Sequence, residues 1–329
     1  MINTFVLHKI NFKKNIFYIC FIKKKNYFCT KFNIITMKTI KYISFFVMIF
    51  TAFFITACNS GSNSSIEDSE DMLETDSVDE QTPVEIVEPN KFFILIKKSG
   101  CKFSDGLTNS EKATYETQTA REINLGVYFS DLAYLATFEK SQPSLKYFSK
   151  VKNMSDQMGL STAISKDTYS YLEKNISNAD SLLIITDNSY KSVIQKLIET
   201  GNGKSLAFIM LGGWVESMYV AVNIVGKYSD NDANINEIAS QKVTFDNLFR
   251  NLKKYKEDPD VNEQLVNIKK IKTIYKQLKK ESVEQNSPAN KDTSKAITEQ
   301  KTKYIFTKEL YESFCKEIND LRTIIIKMS

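Results

Sequence analysis

From about Lys91 onward, apolar residues recur at spacings of three and four, and no run alternates as a strand with one solvated face would. The clearest case is Val261, Leu265, Ile268, Ile271, Tyr275 and Leu278, with lysines on the remaining positions. That is the stripe of a helix with one face in a core. Helix boundaries are also marked. Ser161 or Ser165 precedes a segment from Thr168 to Asn175, and Asp180 leads one from Leu182 to Thr200 that closes at Gly201-Asn202-Gly203. Asp258-Pro259-Asp260 opens the last long helix with proline in its first turn. The pattern predicts an all-α multi-helix bundle over 91–282 with about eight core helices. A polar loop over 283–303, holding Pro288, and a C-terminal amphipathic helix within 304–329 follow.

Two stretches depart from simple amphipathicity. In Leu125–Phe138, Asp131 shares a helix face with Tyr128, Leu135 and Phe138, which turns its carboxyl toward the core. From Ser205 to Gly226 the only charge is Glu216, beside Gly212-Gly213-Trp214. This run is long enough to span a bilayer. Its paired glycines, Asn223 and serines fit better a central helix buried on all sides, with the glycines permitting close helix contact. Two core carboxyls invite an acid/base reading such as glycoside hydrolysis. The plainer reading is that each is hydrogen-bonded and fixes packing register. A ligand pocket between these helices, involving Tyr128 and Trp214, is a third reading.

The N-terminal region has a different character. From Met37 the chain reads MKTIKYISFFVMIFTAFFITAC, with Lys38 and Lys41 ahead of an apolar run from Tyr42 to Ile55 and small residues before Cys58. This is the order of a secretory signal peptide over 37–57. Ile55-Thr56-Ala57-Cys58 is similar to the lipobox of bacterial lipoprotein signals, which implies lipidation of Cys58, palmitate included, and cleavage before it. Residues 1–36, rich in Lys, Phe, Ile and Asn and without an acid, fit poorly ahead of such a signal and read as a spurious upstream extension. Residues 58–90 form an acidic tether: the 32 residues from Asn59 hold ten acids and no Lys or Arg. That composition argues for disorder, with a reach on the order of 30 Å.

Composition then narrows the chemistry. The chain of 329 residues has 44 Lys+Arg, 39 Asp+Glu and a formal charge of +5. Nine lysines and no acid lie in residues 1–57, so the part from Cys58 carries 35 basic against 39 acidic residues, a charge of −4. Nothing in this distribution favours a nucleic-acid partner. The single histidine is His8, so the chain beyond Ala57 has none for Ser-His or Cys-His chemistry or zinc binding. No metal, cofactor or phosphate-loop motif stands out. Cys101 and Cys315 could pair after export, although two separate thiols are the plainer reading.

Four segments carry a resemblance: PNKFFILIKKSGCKF from Pro89, LGVYFSDLAYLATFEKSQ from Leu125, NISNADSLL from Asn175 and LGGWVESMYVA from Leu211. Together they resemble an uncharacterised group of all-helical Bacteroidota lipoproteins over most of 89–280. The resemblance implies a shared helical fold, with Phe92–Lys98 as a first helix, and implies no activity or catalytic residue. The expectation is an exported protein lipid-anchored to the membrane, at the periplasmic face of the outer membrane or at the cell surface. It would act as a binding or structural module for an envelope protein or a small ligand. An envelope hydrolase using Asp131 and Glu216 is the alternative, and a partner subunit that docks its C-terminal helix elsewhere is a third class.

Overall fold

The computed structural model describes residues 16–23, 26–33, 89–284 and 300–329. The signal segment, Cys58, and the tether up to residue 88 lie outside the described residues. The chain divides into two units, Met1–Thr75 and Asp76–Ser329. Within the first, β1 (Ile16–Lys23) and β2 (Asn26–Asn33) form an antiparallel pair, with Ile16 opposite Asn33 and Lys23 opposite Asn26.

The second unit is helical. Its elements are α1 (Pro89–Lys98), α2 (Gln118–Thr137), α3 (Ser141–Gln157), α4 (Lys166–Asn175), α5 (Ala179–Glu199) and α6 (Gly203–Val225). They continue as α7 (Ala233–Ser240), α8 (Lys242–Lys253), α9 (Pro259–Asn267), α10 (Lys269–Lys276), β3 (Lys279–Glu284), β4 (Gln300–Ile305) and α11 (Lys308–Ile326). The all-α multi-helix bundle expected from the periodicity is the observed fold.

Local chemistry explains most helix starts. Oxygens of Thr117, Ser165, Asn178, Asp232, Asp258 and Thr307 accept backbone N–H groups that have no partner within the first turn of α2, α4, α5, α7, α9 and α11. Asn178, two residues ahead of the expected Asp180, is the cap of α5. Gly201, with φ +70°, closes that helix where the sequence placed its end.

Three boundaries differ from expectation. Helix α1 begins at Pro89, inside the segment assigned to the tether, and Asn90 Nδ2 donates to Leu183 O at 3.0 Å. The single helix expected from Pro259 is broken at Ile268 (φ −90°, ψ 0°), so α9 and α10 are separate. The stripe survives because Val261, Ile268, Ile271 and Tyr275 are all buried. The loop assigned to 283–303 is flanked by an antiparallel ladder, Lys279 opposite Ile305 through Glu284 opposite Gln300, and α11 starts at Lys308, later than expected. KKESVE and QKTKYI lack apolar alternation, so backbone pairing of this kind leaves no periodic mark.

Helices α2 and α6 are the two central elements and cross in close contact. Nearly every residue of α2 is buried, as are 16 of the 23 in α6. A Cβ added at Gly126 would meet the backbone of Ile209 and Gly213, and one at Gly212 the carbonyl of Ile123, each closer than 3.0 Å. The helices can therefore approach backbone to backbone only where glycine stands. Helix α6 is long and apolar enough to cross a membrane, with mean hydropathy 1.5, but 78% of that window is buried among the other helices.

Candidate functional site

The two carboxyls singled out in the sequence meet. Asp131 lies on α2 and Glu216 on α6, both are 0% exposed, and they lie close enough for each carboxyl to shift the titration of the other. Two adjacent buried carboxylates cannot both hold their charge. Burial and the negative charge of Glu216 push Asp131 well above the usual carboxylate range, while Asn109 N, donating to Oδ2 at 3.0 Å, offsets this in part. Oδ1 of Asp131 finds no donor among the described residues. That suits a protonated Asp131. Glu216 is also raised by burial, but Arg322 pulls it back toward the charged form.

Arg322 of α11 supplies the countercharge. Its Nε and Nη2 donate to Glu216 Oε2 and Oε1, each at 3.1 Å, in the two-pronged geometry that guanidinium and carboxylate share. Its side chain is 12% exposed, packs over the Tyr219 ring with 4.3 Å to the centroid, and reaches Leu107 O at 3.4 Å. The cluster therefore holds three ionisable groups: the Glu216–Arg322 ion pair and an Asp131 carboxyl raised toward its protonated form.

A polar shell closes one side. Asn109 Nδ2 donates to Tyr115 Oη at 2.8 Å and to Tyr128 Oη at 3.4 Å. Tyr128 Oη donates to Ser110 O at 2.6 Å. Tyr147 donates to Asn109 O and accepts from Thr108 Oγ1 at 2.8 Å. Burial raises all three tyrosines, Tyr147 to about 12, so their hydroxyls stay protonated donors. Nearby, Ser130 and Ser217 join α2 to α6 through their hydroxyls at 2.8 Å.

Trp214 belongs to a different neighbourhood. It packs against Phe245 at 5.0 Å and edge-on to Tyr275 and Phe314. It lines a cavity of about 30 Å³ with Phe92, Met210 and Leu248. That is one water's share of the liquid and too small for a ligand. Thus Asp131, Tyr128 and Glu216 are brought together and Trp214 is not. Cys101 and Cys315 are not bridged. Both are half-buried free thiols raised by burial, Cys315 to about 11, which makes them poor nucleophiles.

Sequence reasoning missed Arg322, the loop residues Asn109 and Tyr115, and Tyr147 of α3. A signal for Arg322 existed. It is one of three arginines beside 41 lysines, and it stands four residues after Ile318 and three before Ile325, on the buried stripe of α11. Asn109 and Tyr115 lie between α1 and α2, where no periodicity marks them, whereas Tyr147 stands on the buried stripe of α3 with Phe148, Val151 and Met154.

Glycosidase carboxyls flank a substrate at about 5 Å or more. Here Asp131 and Glu216 are both sealed from solvent, and neither the small cavity at Trp214 nor the polar cleft beside Glu122 is lined by them. Among the described residues, no group of three or more His, Cys, Asp or Glu is placed to hold a metal ion. Compared with known proteins, the chain matches no family model, no curated sequence and no solved structure.

Proposed function

We propose that the chain is a cell-envelope protein anchored to the membrane by lipid on Cys58, and that its helical body is a binding or structural module and not a hydrolase. The observation carrying the second half is the sealed triad. The Glu216–Arg322 pair, buried beside Asp131, lines neither cleft and ties α6 to α11. The anchoring rests on the sequence alone: a basic start, an apolar run from Tyr42 to Ile55, Ala57-Cys58, and the acid-rich tether. Such an anchor would stay in place, because two or more acyl chains hold a protein far more firmly than one. It would put the body at the outer membrane, on the periplasmic face or at the cell surface.

The test is metabolic labelling with palmitate of cells making the full chain or Cys58→Ala. Label on the first and none on the second is the expected result. Equal label on both would remove the anchor.

A further inference from the structure

Positive charge is concentrated in one group of neighbouring elements. Helices α8 and α10 and the β3–β4 ladder carry 11 basic and 3 acidic residues, a charge of +8. The rest of the body from Lys91 has 24 basic and 26 acidic residues, a charge of −2. From Gln264 to Lys280 there are six lysines and no acid. Contacts bring these elements together. Lys272 Nζ of α10 lies 4.0 Å from the centre of the Phe249 ring of α8, and Phe245 packs on Tyr275 at 5.3 Å, so the two helices run antiparallel. Lys242 Nζ of α8 lies 5.4 Å from the centre of the Tyr304 ring, and Tyr304 stands opposite Lys280 in the ladder.

Few acids answer this charge. Asp246 pairs with Lys242, Glu317 of α11 with Lys270 at 3.3 Å, and Glu281 stands opposite Lys303. Lys253, Lys269, Lys279 and Lys280 have no ion-pair partner among the described residues, and the last three are exposed. Neither the cavity at Trp214 nor the cleft beside Glu122 is lined by these lysines. The charge is spread along about 12 Å of α10 and onward into β3, which fits a broad anionic surface better than a small ligand. Exposed aliphatic side chains stand beside it. Val243 follows Lys242 and is 49% exposed, and Val266, three residues before Lys269, is 63% exposed. Lysines with apolar neighbours suit a lipid surface, where ammonium groups meet headgroup phosphates and aliphatic groups leave water.

We infer that this face seats the body on anionic lipid headgroups. The inference rests on the anchored reading, in which Cys58 brings the body to a membrane, and adds an orientation to it. The tether, with ten acids and no base, and the net-negative remainder of the body would be repelled from the same surface. Each lysine held at an anionic surface strengthens binding by about fivefold.

The test is acetylation footprinting of the full chain by mass spectrometry, with vesicles of phosphatidylcholine alone and of equal parts phosphatidylcholine and phosphatidylglycerol. Lys253, Lys269, Lys279 and Lys280 should react at least about fivefold more slowly on the anionic vesicles, while exposed Lys166 and Lys174 of α4 keep one rate on both. In about 1 M salt, where the screening length is about 3 Å, the difference should vanish. Lys269→Glu combined with Lys279→Glu should restore the rates of Lys253 and Lys280 with helicity unchanged. Equal rates on the two vesicles, or slowing of all body lysines alike, would overturn the inference. Low rates already present without vesicles and relieved by salt would overturn it by assigning the face to the chain's own acidic segment. Stronger protection by polyglutamate than by the anionic vesicles would overturn it in favour of an acidic protein. Palmitate labelling that still depends on Cys58 would show that the anchored reading had not fallen with it.

Discussion

At Asp131, burial and a neighbouring carboxylate push in the same direction, toward the protonated form. Burial raises Glu216 as well, and Arg322, which grips both of its oxygens, pulls it back toward the charged form. Buried ion pairs of this kind are costly to break and often nearly neutral to replace as a whole. Glu216→Gln leaves a largely buried guanidinium unpaired, and Arg322→Met leaves a fully buried carboxylate unpaired. Each should lower the unfolding free energy by about 3–5 kcal/mol in urea denaturation. The double variant should lose clearly less than the sum of the two, because neither unpaired charge remains. Single variants that each lose under about 1 kcal/mol would mean that the pair is solvated and the cluster is not sealed.

Among the elements, the contact between α2 and α6 organises the bundle, and its glycines set how closely they approach. Gly126→Ala and Gly212→Ala would each drive a methyl group into opposing backbone that has no rotamer by which to yield. Each should cost about 1–3 kcal/mol or more. Gly213→Ala is the control: its Cβ would meet Gly126 O at 3.4 Å, and alanine favours helix by up to about 1 kcal/mol. Thermal melts should rank Gly213→Ala near or above the parent and the other two well below it. Equal melting of all three would contradict the close crossing.

The role of the paired glycines in α6 was legible, because an apolar run containing them and a lone charge has few places to go except a crowded core. Asp131 and Glu216 were legible as buried on the same grounds. That they meet was not, since periodicity reports which face is buried and says nothing about which faces oppose. The β3–β4 ladder was illegible for another reason: its side chains carry no alternation, and the backbone groups that hold it are the same in every sequence. The break at Ile268 escaped because the stripe continues across it.

Over the whole molecule, α11 is the element that closes the body. After β4 it returns to the two central helices. There Arg322 reaches Glu216, Asn124 Nδ2 captures Ile325 O at 3.0 Å, and Tyr311 Oη donates to Gly226 O at 3.2 Å. These bonds seat one face of α11 against its own core. The net charge of +5 also dissolves at this scale. It sums an acid-free N-terminal region, an acidic tether, and a body from Lys91 with 35 basic and 29 acidic residues.

The central claim is that the fold keeps a proton on Asp131 that the unfolded chain gives up near the ordinary carboxylate pKa. A group raised on folding contributes its full stability below the unfolded value, about pH 3.8, and loses it as pH climbs toward the folded value. Asp131→Asn mimics the protonated acid and has no proton to lose. Urea unfolding of the full chain and of Asp131→Asn, run side by side from about pH 4 to pH 8, tests this most directly. The parent should lose stability relative to the variant as pH rises, by up to about 1.4 kcal/mol per pH unit within that window. Parallel stability curves for the two proteins would contradict the proton held on Asp131, and with it the sealed triad.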